Sequence, residues 1–262
     1  MNSHSKALNS DIIKPSQKGG FLIPIMKYFT YPFSDSVIAL TTTASCGNMA
    51  FQVSDNEYEV NKNRSYILKD LNINKEHLVL VHQTHSDVIK EVTGRDLGAG
   101  SNSFESGVEA DALYTKQKGI ALGIFHADCE PVFFYDDSIP LVGVIHAGHK
   151  GTLKHVVQKS LSYVIMKEKV NPLNLKIWVG PHRRKETYKI NEEQKKEIMY
   201  AGCPITGDHF DVTLSNKLDM IQMGIPEENI KDIAIDTAKS DNCFSVFKGD
   251  KNGRMMSVIM LK

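Results

Sequence analysis

The sequence has few cysteines and no long apolar run, and these two shortages exclude several classes of protein. Its four cysteines among 262 residues are scattered, without the spacing of a disulfide framework. No apolar run approaches the roughly 18 residues of a transmembrane helix. Residues 21–26 are too short, and contain a proline, to act as the apolar core of a signal peptide. We therefore predict a soluble, cytoplasmic protein with no membrane partner.

An excess of charge of either sign is also missing. The 31 basic residues are balanced by 31 acidic residues. Because a balanced chain has no overall field that attracts a polyanion, the composition argues against a nucleic-acid partner. The oligomeric state is left open by the sequence.

We predict one globular domain, residues 26–262, preceded by a polar segment. Residues 1 to about 20 are polar and lack periodicity, so we expect residues 1–25 to be a disordered tail or a cloning remnant. In the domain, short apolar runs alternate with helical periodicity and hairpins are interspersed, so we expect a single α/β (α+β) domain with mixed β-sheets flanked by helices. Strands are predicted at 37–42, 78–81, 120–125, 131–135, 141–145, 175–179, 230–235 and 255–261. Helices are predicted from a cap at Ser54 or Asp55 to about 71, and over about 153–165, 191–201 and 212–223.

The stretch 119–151 carries the densest chemical signal. Its three apolar runs predict three successive strands joined by short turns. When two strands are joined by a tight turn, the start of the first strand lies beside the end of the second. We therefore expect Cys129 to lie beside His146. A glycine-containing turn and a helical pattern follow His146, and the N-terminus of a helix favours an anion. The sequence therefore predicts a soft ligand pair next to an anion site.

Three interpretations of Cys129 and His146 remain open from the residues alone. Together with His85, which follows the predicted strand 78–81, they offer two imidazoles and a thiolate, the ligand types that bind zinc or copper. Three protein ligands and an open fourth position are typical of a catalytic zinc site. Without a metal, Cys129 could act as the nucleophile of a hydrolase with His146 as its base. In the third interpretation, the cysteine is a small buried residue and the histidines are ordinary strand-end residues.

Six segments, in a fixed order, resemble one protein family. They are HQTHSDVI at 82–89, EADALYT at 109–115, ADCEPVFFYD at 127–136, GVIHAGHKG at 143–151, VGP at 179–181 and DKNGRM at 250–255. Together they are similar to the YfiH-like or laccase-domain family, also called the polyphenol oxidase family and described as multicopper-oxidase-like. The resemblance extends from about residue 36 to the C-terminus, so it covers nearly all of the predicted domain.

The resemblance implies a single α/β domain that acts on purine nucleosides. Enzymes of this family phosphorolyse adenosine, inosine, guanosine or methylthioadenosine to the free base and ribose 1-phosphate, and they can deaminate adenosine. They hold a mononuclear zinc, which the resemblance assigns here to His85, Cys129 and His146. The expected partners are a small-molecule nucleoside and phosphate. Both nucleoside salvage and cell-wall quality control are roles attached to the family.

The family's older name supplies an alternative function, a copper-dependent polyphenol oxidase. A four-copper laccase is disfavoured by the sequence itself, because such centres typically use paired His-x-His motifs and none occurs here. Copper nevertheless stays the alternative metal. A non-catalytic binding protein that kept the metal is a further alternative.

The resemblance also implies roles for residues around the metal. We expect Cys129 and His146 to be catalytic together with Asp128, which would orient a ligand or move a proton. Lys150 is expected to attract phosphate. The predicted substrate-binding residues are Asn48, Arg64, Gln83, His149, Lys150 and Tyr188. For Asn48 and Arg64, a turn residue and a solvated helix residue are equally good explanations.

The chain departs from the family pattern in the charges expected to face the substrate. Where the family has His-Ala-Gly-Trp-Arg-Gly, this chain has His149 for the tryptophan and Lys150 for the arginine, so a bidentate fork is lost. A basic run, residues 182–185, replaces the small residues that usually follow Gly-Pro. That run could restore attraction for phosphate or could be a solvated turn, and we favour the turn.

Overall fold

The computed structural model describes residues 11–12, 25–53 and 56–262, and its main elements are two six-stranded sheets with helices on their outer faces. The strands are β1 (Asp11–Ile12), β2 (Ile25–Met26), β3 (Tyr28–Thr30), β4 (Val37–Thr42), β5 (Leu78–His82), β6 (Ile89–Glu91), β7 (Val108–Glu109), β8 (Ala112–Thr115), β9 (Ala121–His126), β10 (Glu130–Asp136), β11 (Leu141–Ala147), β12 (Lys176–Val179), β13 (Ile205–Thr206), β14 (His209–Phe210), β15 (Ile230–Asp232) and β16 (Met255–Leu261). The α-helices are α1 (Glu57–Asp70), α2 (His149–Leu153), α3 (Val156–Glu168), α4 (Glu192–Tyr200) and α5 (Val212–Gln222). Among the residues so described, no helix combines the length and the hydrophobicity needed to cross a bilayer.

Both large sheets are mixed, as the hairpin-rich pattern predicts. Sheet one has the strand order β3-β4-β16-β9-β5-β7, and sheet two has the order β15-β12-β10-β11-β8-β6. In sheet one, β5 runs parallel to β9 and β7, whereas β16 is antiparallel to β4 and β9. In sheet two, the central strands are antiparallel and the two edge pairs, β12–β15 and β6–β8, are parallel.

From β5 to β10 the chain alternates between the two sheets. β5, β7 and β9 belong to sheet one, and β6, β8 and β10 belong to sheet two. Each of these connections therefore crosses from one sheet to the other. The two sheets are interleaved along the sequence rather than built one after the other.

The two sheets pack face to face around a common apolar core. Fully buried residues of sheet one, Val79, Leu122 and Ile259, lie in one cluster with Leu113 and Phe133 of sheet two. Apolar residues of α3 and α5 cover the outer face of sheet two, and those of α1 cover the outer face of sheet one. Because β10 and β11 are covered on both faces, they are buried along their whole length, which explains their continuous apolar sequences.

The helix predicted after His146 is broken in two. Lys154 and His155 separate α2 from α3. His155 has a φ of 56°, in the left-handed region that interrupts a helix. Its ring lies 3.0 Å from a carboxylate oxygen of Asp219 and 2.9 Å from the carbonyl oxygen of Ala201. These tertiary contacts override the local helical periodicity at this point, so the helix predicted over about 153–165 is confirmed from Val156 onwards but not across residues 154–155.

Two other predictions fall partly outside the described residues. The helix α1 is capped by Asn56, whose side chain accepts the N–H of Glu59, while Ser54 and Asp55, the predicted caps, are not described. Within the predicted tail, β1 pairs antiparallel with β2. The rest of residues 1–24 lies outside the described part, so the disordered tail stays a prediction.

Candidate metal centre

Three side chains with metal-ligand atoms converge on one point. His85 lies in the connection from β5 to β6, Cys129 lies between β9 and β10, and His146 lies near the end of β11. Their ligand atoms are all within 4.8 Å of one another. Sγ of Cys129 is 4.0 Å from Nε2 of His85, and the ring centroids of His85 and His146 are 5.0 Å apart. The structure thus brings together the three residues that the resemblance assigns to a metal.

The hairpin of β10 and β11 makes Cys129 and His146 neighbours. Its register pairs Pro131 with His146 and Glu130 with Ala147. Cys129 directly precedes Glu130, so it stands beside the end of β11. The neighbourhood expected from two apolar runs and a tight turn is confirmed.

Asp111 fixes two of the three residues. Its Oδ1 is 2.9 Å from Nδ1 of His146, which leaves Nε2 of that ring free for a ligand. The same carboxylate accepts the backbone N–H groups of Thr84, His85 and Ser86. A carboxylate behind a metal-binding histidine sets the tautomer and orientation of the ring. This role was not predicted from the sequence, although the segment EADALYT contains the aspartate; its signal is an acid placed directly before a buried strand.

Opposite charges hold the site together when no metal is bound. Burial alone would raise the pKa of the Cys129 thiol, but His146 and His85 lower it to about 6. Burial also opposes a charge on His146, yet Cys129 and Asp111 raise the pKa of that ring to about 9. Burial opposes ionisation of Asp111 as well, and its bonds to His146 and Ser86 hold its pKa at about 2. Near neutral pH the array is therefore thiolate, imidazolium and carboxylate.

The geometry of the donors fits a single zinc-sized ion. Zinc bonds of about 2.0–2.3 Å in a tetrahedron place donor atoms roughly 3.3–3.8 Å apart. The observed 4.0 Å between Cys129 and His85 needs only a small contraction to reach that range. The neighbouring Gly148 is also required for space, because a Cβ there would lie 2.8 Å from Sγ of Cys129 and 2.8 Å from Cδ2 of His85. Two imidazoles and a thiolate suit zinc and copper alike, so the donor set does not choose between them.

A cavity of about 470 Å³ adjoins the candidate metal centre. That volume lies within the range of pockets that bind small organic molecules. Arg183 and Gln194 contribute to its wall. The predicted site residues that line it are His85, Asp128, Cys129, His149, Lys150 and Tyr188.

Two rings of the cavity wall, His149 and Tyr188, are backed by a third, buried ring. His149 and Tyr188 are stacked at 6.1 Å between centroids, with Oη of Tyr188 3.2 Å from Nδ1 of His149. Phe210 packs edge-on against both rings. Burial lowers the pKa of His149, so the ring is neutral at pH 7. The cluster is a fixed, uncharged wall that includes the position of the family's tryptophan.

Arg64 does not reach the cavity. Its side chain is buried beside α1, where Nε donates to the carbonyl of Met49 and Nη1 to the carbonyl of Gly100. The guanidinium also lies over the rings of Phe51 and Phe125. Neither the predicted ligand contact nor the alternative, a solvated helix residue, describes this arrangement. Arg64 ties a helix to two loops.

Gln83 and Asn48 also serve the backbone rather than the cavity. Nε2 of Gln83 donates to the carbonyl of Phe125, and its Oε1 accepts the N–H of the same residue. Oδ1 of Asn48 accepts the N–H groups of Ala50 and Arg254. Neither residue is part of the cavity wall. Asn48 therefore behaves as the turn residue of the alternative explanation.

Asp128 lines the cavity, but its carboxylate is engaged. Oδ1 accepts the hydroxyls of Thr237 and Ser245, at 2.8 and 2.6 Å, and Oδ2 accepts the N–H of Phe247 at 2.9 Å. All three donors belong to the connection between β15 and β16. This arrangement favours an anchoring role for Asp128, while its expected role in proton transfer stays a prediction.

The basic run of residues 182–185 is divided between different surroundings. His182 is buried against Glu130, and Arg184 pairs with Asp232. Lys185 pairs with Asp211. Of the four, only Arg183 is in the cavity wall. The run is therefore neither a phosphate-binding cluster as a whole nor a solvated turn as a whole.

The anion site expected at the helix after His146 has little support from the helix itself. α2 has only five residues before the helix is interrupted at His155, so few peptide dipoles add up along it. Lys150 of this helix lines the cavity and is exposed. Attraction for an anion at this point therefore comes from side-chain cations.

Several known proteins are similar to this chain. Residues 40–262 match the family described as multi-copper polyphenol oxidoreductase laccase. The purine nucleoside phosphorylase YlmD of Bacillus subtilis (strain 168) is 31% identical over 229 residues, which cover 82% of this chain and 82% of that protein. A purine nucleoside phosphorylase of Staphylococcus saprophyticus is 27% identical over 224 residues, covering 81% of this chain and 84% of its own length. The crystal structure of the hypothetical protein YfiH of Bacillus licheniformis has a TM-score of 0.84 at 28% identity, covering 90% of this chain and 97% of that chain.

Proposed function

Because this chain belongs to the multi-copper polyphenol oxidoreductase laccase family, in which similar proteins are named purine nucleoside phosphorylases, we propose that it is a zinc-dependent purine nucleoside phosphorylase. In this proposal it converts adenosine, inosine, guanosine or methylthioadenosine, with phosphate, to the free base and ribose 1-phosphate. The observation that carries the proposal is the convergence of His85, Cys129 and His146 beside a cavity large enough for a nucleoside.

The chemistry requires a nucleophile, a leaving group and a site for each. A phosphate oxygen forms a bond to C1′ of the ribose while the bond from C1′ to the purine nitrogen breaks. The electron pair leaves with the purine, which takes up a proton. The stacked pair of His149 and Tyr188 offers a flat wall against which a purine can pack. The ammonium of Lys150 attracts the phosphate, since no ion pair in the described residues neutralises it.

The metal would be held by His85, Cys129 and His146, with Asp111 orienting the last of these. A bound zinc ion supplies a Lewis acid at the edge of the cavity. The protein's own contribution is to keep the three donors close together and to fix the ring of His146. The wall of rings keeps water from one side of the bound nucleoside.

Metal content and phosphate-dependent turnover test the proposal. Elemental analysis of the purified protein is expected to give about one zinc per chain. Cys129→Ala loses the metal, whereas the matched control Cys46→Ala keeps it, because Cys46 lies outside the site. Chromatography then follows the release of hypoxanthine from inosine with and without phosphate. Stoichiometric zinc without phosphate-dependent cleavage of any purine nucleoside would exclude the phosphorylase.

The same measurements separate the alternatives. Conversion of adenosine to inosine, independent of phosphate, would add deamination to the activity. Stoichiometric copper in place of zinc would favour the polyphenol oxidase. If Cys129 is a nucleophile and His146 its base, the His85→Ala variant should keep its activity. If the three residues bind a metal, the same variant should lose both the metal and the activity. Nucleoside binding without turnover would favour a binding protein.

A further inference from the structure

Arg183 differs from its three basic neighbours in having no acidic partner. His182 lies 3.1 Å from a carboxylate oxygen of Glu130, Arg184 lies 2.5 Å from Asp232, and Lys185 lies 3.7 Å from Asp211. In the described part of the chain, no carboxylate pairs with the guanidinium of Arg183. It is also the one member of the run that lines the cavity beside the metal donors.

The guanidinium of Arg183 is held in place without using all of its donors. Its Nε donates to the carbonyl of Thr187 at 3.0 Å, and Nη2 donates to the same oxygen. The central carbon lies over the ring of Tyr188 at 4.5 Å and over the ring of Phe247 at 3.9 Å. Of the five N–H donors of an arginine, both of Nη1 and one of Nη2 remain. Two aromatic rings thus pack against the group, and three N–H donors at its planar edge are left for a ligand.

Three separate segments build this arrangement. The N–H of Arg183 donates to the carbonyl of Asp128, the residue before Cys129. The carboxylate of Asp128 accepts the N–H of Phe247 and the hydroxyl of Ser245. Asp128 therefore fixes both the arginine and the aromatic residue that packs on it. A cation immobilised in this way loses little side-chain entropy when it binds an anion.

We propose that Arg183 is the phosphate-binding residue of the cavity and that Lys150 is its partner. An edge with free N–H donors matches the oxygens of a phosphate, which arginine binds in bidentate fashion. A stacking role against the purine is less suited to this side chain, because Tyr188 and Phe247 already pack against its guanidinium. The bidentate fork that Lys150 lacks is supplied from a different loop by Arg183. This proposal rests on the proposed function and names the place of its second substrate.

The test measures binding of inorganic phosphate to the full-length purified chain by isothermal titration calorimetry. Arg183→Leu is expected to weaken binding by about tenfold or more, since a hydrogen-bonded charge pair is lost. Arg183→Lys keeps the positive charge but lacks the bidentate guanidinium, so its phosphate affinity is expected to lie between those of the wild type and Arg183→Leu. The matched control is Arg95→Leu, which removes an exposed arginine that lines a separate cavity and leaves phosphate binding within about twofold. Thermal unfolding of each variant identifies any loss caused by misfolding.

Turnover separates this proposal from the proposed function. If the enzyme phosphorolyses nucleosides, Arg183→Leu raises the KM for phosphate and leaves the KM for the nucleoside nearly unchanged. Unchanged phosphate affinity in folded Arg183→Leu overturns the role of Arg183, even if phosphate-dependent cleavage continues. Saturable phosphate binding that depends on Arg183, without cleavage of any nucleoside, retains the anion site and overturns the phosphorylase.

Discussion

The carboxylate of Asp111 lies 2.9 Å from Nδ1 of His146 and also accepts the backbone N–H of His85. One buried acid therefore orients one metal donor by its ring and the other by its loop. Because His85 has a left-handed φ of 58°, its loop needs such support. The geometry of the candidate metal centre therefore depends on a residue that is not one of its three donors.

Replacing Asp111 is therefore expected to weaken metal binding although no donor is removed. In Asp111→Asn, the amide presents N–H donors where the carboxylate accepted three backbone N–H groups and the ring of His146. We expect zinc affinity to fall by about 10–100-fold, as for other residues behind a metal ligand. Competition with a chromophoric chelator measures the change. The control is Asp87→Asn, which removes a surface carboxylate paired with Lys159. Equal affinities for the two variants would contradict the role of Asp111.

Substitution of Gly148 is expected to reduce metal binding as much as substitution of one of the three donor residues. A methyl group there would press on both Cys129 and His85, at 2.8 Å from each. Gly148→Ala should therefore lower the zinc content of the purified protein well below that of the wild type. Gly94→Ala is the matched control, because a Cβ at position 94 meets only Oε1 of Gln117, at 3.8 Å. Full zinc occupancy in Gly148→Ala would show that the donors have more room than the structure gives them.

The thiols of the metal-free protein are expected to differ in reactivity with pH. The pKa of Cys129 is lowered to about 6, so its thiolate forms as the pH rises through that value. Burial raises the pKa of Cys46, the other cysteine that is partly accessible. At pH 7, iodoacetamide should alkylate Cys129 faster than Cys46 by about tenfold or more. Peptide mass spectrometry gives the order of labelling, and equal rates would exclude a thiolate held by His146.

Arg64 provides a test of stability rather than of binding. Arg64→Met keeps the apolar stem but leaves the carbonyls of Met49 and Gly100 without their donors. We expect the free energy of unfolding in urea to fall by about 2–4 kcal/mol. Lys62→Met, an exposed change on the same helix, should cost less than about 0.5 kcal/mol. A raised KM for the nucleoside in Arg64→Met, with stability unchanged, would restore the ligand contact predicted from the resemblance.

The strands were predictable because their apolar runs are short and bounded by polar turns. The run at 37–42 corresponds to β4, and the runs at 131–135 and 141–145 lie within β10 and β11. The nearness of Cys129 and His146 follows from that hairpin alone. The approach of His85 is different, since it depends on the crossing from one sheet to the other; the residues alone left it as one of several interpretations, and the resemblance favoured it.

The features that could not be predicted from the sequence depend on contacts between distant segments. The residues that flank His155 in the sequence do not predict its left-handed conformation, which is held by contacts with Asp219 and Ala201. The anchoring role of Asp128 needs donors more than a hundred residues away. The separation of Arg183 from its basic neighbours likewise depends on where Glu130, Asp232 and Asp211 lie. Local patterns contain none of these distances.

The interleaving of the two sheets has a consequence for how the protein folds. His85 and Cys129 lie in two different crossings between the sheets, 44 residues apart in sequence. The two donors therefore reach their folded positions only when the strands on either side of both crossings are in place. Such long-range pairing slows folding, and an ion held by donors from both crossings would stabilise the docked sheets.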